Sequence, residues 1–406
     1  MKLLVTGGAG FVGGSLVRLV LEETGHSVVN VDCLTYAAAP EALAGLDDGR
    51  LTHEQVDVCD AARLREIFAR HRPDAVVHLA AESHVDRSIT APARFVQTNV
   101  LGTHALLEVV RDYWHELPRD RAREFRLVHV STDEVFGSRA GDEHVDVDAC
   151  HAPSSPYAAS KAAADQLAWS YRRTWGIPLI VTHSCNNYGP WQHPEKLVPV
   201  VITRALEGRA IPVYGSGEHI RDWLYVDDHA RALLRLLQAA SPGTAWGISA
   251  GCERTNVELV EAICNAVDAL VGRRGSSPSR ALMRHVADRP GHDHRYGLVA
   301  TRIRDQLGWR PRTDLADGIA NVLAGYGAAG HGTAGDWMPG SAGLPPPESG
   351  TSRRARALPR PRPATFRAAV SSAGVIHWRP ERIIATPTSS PTIRTACATR
   401  RACHVC

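Results

Sequence analysis

Short apolar runs alternate with amphipathic stretches along the first half of the chain. Lys2 to Thr6, Ser27 to Val31, Leu51 to Val56, Asp74 to Leu79, Phe125 to Ser131 and Pro178 to Thr182 have the length and composition of buried strands. Between them, Ser15 to Glu23, Ala61 to Arg70, Pro92 to Trp114 and Pro156 to about Trp175 carry apolar residues at helical spacing. This alternation predicts an α/β fold, a doubly wound parallel sheet with helices on both faces.

After Ser184 the rhythm changes. Residues 185–190 read as a loop, Leu197 to Leu206 as a helix, and Pro212 to Gly215 as a short edge element. Helices follow over Ala230 to Leu237, Asn256 to Leu270 and Thr301 to Leu307, with a polar loop at Arg289 to Tyr296. The organisation expected is a dinucleotide-binding domain over 1–184, to which the chain returns around 222–248. A smaller C-terminal domain over 185–327 then carries the substrate, and an Arg/Pro-rich tail occupies 328–406. The tail is expected to be disordered, because it has ten prolines after residue 337 and no sustained periodicity.

Four local patterns carry chemistry. Gly7-Gly8-Ala9-Gly10-Phe11-Val12-Gly13 directly follows the first strand and opens a helix, the place where backbone can approach a pyrophosphate. Asp32 ends the second strand, where a carboxylate meets ribose hydroxyls, and an acid there favours NAD over NADP. Thr132, Asp133 and Glu134 sit where the fifth strand stops, at the strand ends where such sheets bind ligands. Tyr157 and Lys161 are four residues apart, hence on one helix face. Taken singly, the last pattern is equally a surface pair, and Thr-Asp-Glu is equally a helix cap. Both in one chain behind a dinucleotide turn point to acid–base chemistry beside a nicotinamide.

Composition adds limits. The chain has 406 residues with 44% hydrophobic and 22% charged positions, and no apolar run of membrane-spanning length. The net charge of +3 is uneven: 11 arginines and two acids from residue 338 onward give +9 there, leaving −6 for residues 1–337. That balance leaves the body without a nucleic-acid footprint. Nine cysteines without framework spacing fit reduced thiols, and a cytoplasmic location is expected. None of the 20 histidines pairs with another His or Cys at a convincing ligand spacing, so no metal is expected.

The glycine turn, Asp32, Tyr157 and Lys161 resemble the extended short-chain dehydrogenase/reductase superfamily. Within it, residues 81–88, 131–137, 186–190, 221–229 and 288–293 are similar to the dTDP-glucose 4,6-dehydratase family, and the match runs from residue 1 to about 325. The resemblance implies NAD as cofactor, dTDP-glucose as substrate and a homodimer built from the helices around 92–114 and 156–175. It also implies roles. Tyr157 takes the proton from the sugar 4-hydroxyl, with Lys161 and the nicotinamide charge together lowering its pKa; Thr132 orients that hydroxyl; Glu134 removes the C5 proton; Asp133 protonates the departing C6 hydroxyl.

Cofactor contacts implied are Gly7, Gly10, Phe11, Val12, Gly13, Asp32, Leu34, Thr35, Asp57, Val58, Leu79, Ala80, Ala81, Ser83, Thr98, Tyr157, Lys161 and Asn187. Implied substrate contacts are Ser83, Thr132, Asp133, Glu134, Asn186, Lys196, Leu197, Pro212, Tyr214, Arg221, Asn256, Arg289 and Tyr296. Composition alone would leave Arg221 and Arg289 as solvated surface charges. Several positions depart from the family pattern: Cys33 replaces a basic residue, Ala38-Ala39 a Gly-Asn pair, and His183 an Asn. The aromatic-rich final helix is reduced to Tyr326 and Trp337. A nucleotide-sugar 4-epimerase and a non-catalytic NAD-binding relative are the competing readings, which Asp133-Glu134 and the intact Tyr157/Lys161 pair respectively oppose.

Overall fold

A computed structural model describes residues 1–46, 49–273 and 278–328. The tail expected over 328–406, with Trp337, lies outside the described residues but for residue 328 itself. The elements in order are β1 (Lys2–Thr6), α1 (Phe11–Glu23), β2 (Ser27–Asp32), β3 (Leu51–Gln55), α2 (Ala61–His71), β4 (Ala75–His78), α3 (Val85–Thr90) and α4 (Pro92–Phe95). A π-helical turn over Val96–Gly102 leads into α5 (Thr103–Glu116), then α6 (Arg119–Glu124), β5 (Arg126–Thr132), α7 (Pro156–Trp175) and β6 (Leu179–Ser184). The second half comprises β7 (Asn186–Tyr188), α8 (Leu197–Leu206), β8 (Ile211–Tyr214), β9 (Ile220–Tyr225), α9 (Val226–Ala239), β10 (Thr244–Ile248) and β11 (Glu253–Thr255). It ends with α10 (Asn256–Leu270), β12 (Met283–Val286), α11 (Thr301–Leu307) and α12 (Leu315–Ala328).

Seven strands form one sheet in the order β10-β6-β5-β4-β1-β2-β3, every pair parallel. The order reverses between β1 and β4, so a crevice opens at the carboxyl end of β1, where the glycine turn stands. Apolar clusters cover the sheet: one holds Leu16 and Val20 of α1 with Leu233 and Leu236 of α9, the other Leu64 and Phe68 of α2 with Leu106 and Val110 of α5. A third cluster, around Tyr188, Ile202, Ile263 and Val322, packs α8, α10 and α12 on the small sheets β11-β9-β7 and β12-β8.

The structure corrects several expected elements. Residues 185–190 are not all loop, because Asn186–Tyr188 pairs in parallel with Trp223–Tyr225 of β9. The helix expected over Pro92 to Trp114 is interrupted by its π-helical turn, which carries Asn99 inward; the Asn99 side chain bonds Glu82 N, Glu82 O and Ser160 Oγ. Thr301–Leu307 is not the last helix. In α12, Gly318, Gly325 and Gly327 lower the helix propensity, yet Ile319, Val322 and Leu323 are buried in the third cluster. Tertiary packing decides that segment, not propensity.

Candidate active site

The glycine turn is held by contacts that admit no side chain. A Cβ on Gly13 would stand 2.1 Å from Gly7 O, and one on Gly7 would meet Ala80 N at 2.7 Å. Gly10 caps α1 without a side-chain hydrogen bond, which leaves first-turn N–H groups for an anionic ligand. Asp32 at the end of β2 accepts from Ala9 N (3.0 Å) and Leu34 N (2.8 Å), fixing its carboxylate beside the turn; burial raises its pKa.

A cleft of about 600 Å³ runs from this turn to the end of β5. It brings together Gly7, Gly10, Phe11, Val12, Gly13, Asp32, Thr35, Asp57, Val58, Leu79, Ala80, Ala81, Ser83 and Thr98 with Thr132, Asp133, Glu134, Tyr157, Lys161, Asn186, Asn187 and Lys196. Leu34, Leu197, Pro212, Tyr214, Arg221, Asn256, Arg289 and Tyr296 are not in that lining. Leu34 is exposed with φ of 55°, and it is its backbone that holds Asp32. Asn256 starts α10 and donates its N–H to His219 O.

Arg221, Arg289 and Tyr296 form a layer behind the lining. Arg221 is 5% exposed, far from a solvated surface charge, and its guanidinium donates to the carbonyls of Ile220, Asp293 and His294. The same group lies 4.6 Å above the Tyr296 ring. Arg289 reaches Asp86 at 3.7 Å, and the Tyr214 hydroxyl donates to Asp86 at 3.2 Å.

Thr132, Asp133, Tyr157 and Lys161 are buried and Glu134 is partly buried, and their electrostatic surroundings differ. Thr132 caps the 3-10 turn Asp133–Phe136, its hydroxyl accepting from Glu134 N and donating to Asp133 Oδ1. The cap and the chemical placement are therefore one device. Burial, and then the neighbouring Glu134, push the Asp133 carboxyl well above the usual range. Burial also raises Glu134, but Arg289, Arg221 and Lys196 draw it back. Both carboxyls are thus raised, Asp133 the further of the two, a separation in the direction that an acid and a base would need.

Tyr157 departs from expectation. Burial and Glu134 hold its phenol well above the ordinary value, with Thr132 acting in the opposite direction. Lys161 donates to Val130 O at 2.8 Å, tying α7 to β5, and burial lowers its own pKa. Lowering the phenol therefore falls to charge brought in by a ligand.

Other lining residues, among them His229, Gln192 and Arg94, were not among the expected contacts. His229 bonds Asn187 Oδ1 through Nδ1 at 3.0 Å, while its Nε2 is buried without a partner. Gln192 donates to Asn187 O and keeps an unpaired Oε1. Arg94 pairs with Glu82 at 2.6 Å. The unpaired polar atoms, the side-chain-free turn and Asp32 together fit a dinucleotide lying along the cleft.

The family model described as GDP-mannose 4,6 dehydratase matches residues 4–322. The chain is 48% identical over 336 residues to dTDP-glucose 4,6-dehydratase 1 of Escherichia coli K12, covering 80% of this chain and 92% of that protein. It is 47% identical over 329 residues to the dTDP-glucose 4,6-dehydratase of Neisseria meningitidis, with 80% and 93% covered. Among solved structures, the Streptomyces venezuelae dTDP-glucose 4,6-dehydratase DesIV, with NAD bound, superposes with TM-score 0.72 at 41% identity over 80% of this chain and 96% of its own. The UDP-glucose 4-epimerase of Thermotoga maritima shares the fold at TM-score 0.69 and 27% identity, covering 80% and 98%. The chain belongs to the GDP-mannose 4,6 dehydratase family and, within it, groups with the dTDP-glucose 4,6-dehydratases.

Proposed function

We propose that this protein is an NAD-dependent hydro-lyase that converts dTDP-glucose to dTDP-4-keto-6-deoxyglucose. The observation that carries the reading is one cleft holding the glycine turn, Thr132, the biased Asp133/Glu134 pair and Tyr157. NAD, bound along the glycine turn and Asp32, supplies the hydride acceptor for sugar C4 and the hydride donor for C6.

The side chains divide the proton transfers. Tyr157 removes the proton from the 4-hydroxyl, which Thr132 orients. The C4 ketone acidifies the C5 proton, and Glu134 takes it. Asp133 gives its proton to the C6 hydroxyl, which leaves as water. The proton held by Glu134 returns to C5 when C6 is reduced, so no net oxidant is consumed. Lys161 positions the Tyr157 helix through Val130 O. Arg289 and Lys196 draw the Glu134 pKa down against its burial, and Arg221 with Tyr296 backs the sugar-diphosphate side. None of these steps calls for a metal.

The reading includes a division at about residue 184 into cofactor and substrate domains. It also includes a cytoplasmic homodimer; among the described residues no helix is long and apolar enough to cross a membrane. Exposed Val96 and Leu101 on the first expected interface helix, and Trp175 at the end of the second, support the dimer. A monomer mass by light scattering overturns it. Incubation with dTDP-glucose tests the activity: a 4-keto-6-deoxy product is expected, and a C4 epimer in its place would overturn the reading.

A further inference from the structure

Two groups of side chains outside the cleft bring two imidazoles to one carboxylate, and their geometries differ. His219 and His292 flank Asp288 at 3.4 and 2.7 Å. Their rings are stacked, with centroids 3.6 Å apart and planes 17° apart. Two imidazoles on one tetrahedral ion, with metal–nitrogen bonds of about 2.0–2.1 Å, keep their ring centres roughly 5–6 Å apart. The stacked pair cannot share an ion.

The second group does meet that geometry. Asp165 lies on α7, one turn beyond Lys161. His183 Nε2 is 3.1 Å and His151 Nε2 3.9 Å from the same Asp165 Oδ2. The two rings have centroids 5.8 Å apart and planes 73° apart, so both nitrogens converge on the carboxylate. The three ligand atoms lie within 4.8 Å of one another, and ligand atoms of a tetrahedral ion are about 3.4 Å apart. Movements of about 1 Å close the site. The remaining oxygen, Oδ1, accepts from His129 Nε2 at 3.0 Å, and Ser131 Oγ donates to Oδ2 at 2.9 Å. A held carboxylate of that kind is what orients a metal ligand. Asp165 and His183 are fully buried, whereas the His151 side chain is 15% exposed and provides the way in.

We propose that His151, Asp165 and His183 bind a divalent cation of the zinc type. The chemistry of the donors, two imidazoles and a carboxylate with a fourth position open, suits zinc or cobalt better than magnesium or calcium. His183 is the residue that departs from the Asn of the family the sequence resembles, so the site belongs to this chain's own sequence.

The test uses the full chain with NAD bound, stripped of metal by a chelator and titrated with Co²⁺ and then Zn²⁺. Expected are one ion per chain and the visible absorption of four-coordinate cobalt on nitrogen and oxygen, both lost on adding chelator. His183→Asn and His151→Phe should each weaken binding by about tenfold or more while keeping metal-free turnover. Because His151 is partly exposed, its variant serves if His183→Asn fails to fold. His292→Asn should leave cobalt affinity unchanged. No cobalt spectrum, unchanged affinity in the His151 and His183 variants, loss of binding in His292→Asn, or thiolate-to-cobalt charge transfer would each overturn the site.

Discussion

The cofactor side and the sugar side of the cleft are built by different means. On the cofactor side, Gly7 to Gly13, Asp32, Asp57 and Ala80-Ala81 arrive one after another from the ends of β1, β2, β3 and β4. Each is placed by its own strand, and neighbouring strands are fixed by parallel register. On the sugar side, Tyr214, Arg221, Arg289 and Tyr296 come from two small sheets and a loop, and their positions depend on one another. Arg221 is held by three carbonyls, two of them more than seventy residues away. Strand-end sites tolerate change in their neighbours; cross-braced sites do not. Damage to the first should appear as lost cofactor, and damage to the second as lost substrate binding.

The sharpest break lies between the two sides. Glu134→Gln should lower kcat by about 10² to 10⁴, with reduced cofactor and 4-keto-glucose accumulating on the enzyme in rapid-quench measurements. Asp133→Asn should slow water loss while exchange of the C5 proton with solvent deuterium persists. Equal loss of the first hydride transfer in both variants would make the pair structural.

Next in size come variants that separate the sides. Gly13→Ala forces a methyl onto Gly7 O, at a cost of about 1–3 kcal/mol, which is roughly ten- to hundredfold in NAD affinity by calorimetry. The KM for dTDP-glucose should change less. Arg221→Lys loses the fork that spans three carbonyls, so it should raise the sugar-nucleotide KM about tenfold and leave NAD affinity unchanged. A cofactor effect from Arg221→Lys would dissolve the distinction.

The pH dependence is milder and has a fixed sign. The proposed base Glu134 acts in its ionised form, and burial raises its pKa, so kcat should fall on acidification at a higher pH than an exposed glutamate would give. Lys196 lowers that pKa, so Lys196→Met should move the acid limb upward. For stability, burial lowers His229 from 6.5 to about 4. Its contribution is fully present above its unfolded value, about 6.5, and is lost as pH falls toward 4. Thermal melts over that window should show the decline. The smallest effect is expected from deleting 338–406, which should leave turnover unchanged while removing a block of +9 charge; a large rate loss would place a functional element in the tail.

The same contrast explains what the sequence disclosed. The place of strand-end residues such as Asp32, Thr132 and Glu134 in the cleft was legible because a short apolar run names the strand and the next polar residue marks its end. Arg221 was legible only through family resemblance, since nothing in its neighbours says that its partners are the carbonyls of Asp293 and His294. His229 carried no signal because its partner, Asn187, arrives from β7, a three-residue strand that reads as loop. The His151–Asp165–His183 group escaped for a similar reason: its ligands come from a loop, a helix and a strand, and no ligand spacing links them.

The contact between Gly318 and Tyr188 sets how far the protein can be shortened. Any Cβ at Gly318 would overlap the Tyr188 ring, and the Tyr188 hydroxyl donates to Asp314 O at 3.2 Å. Tyr188 is fully buried and follows directly on Asn187, which lines the cleft. A gene ending after α11 would therefore strip the cover from Tyr188 and loosen Asn187 from behind, although no residue of the cleft had been removed. The shortest active chain should end no earlier than about residue 328, and a bulky residue at 318 should mimic premature truncation.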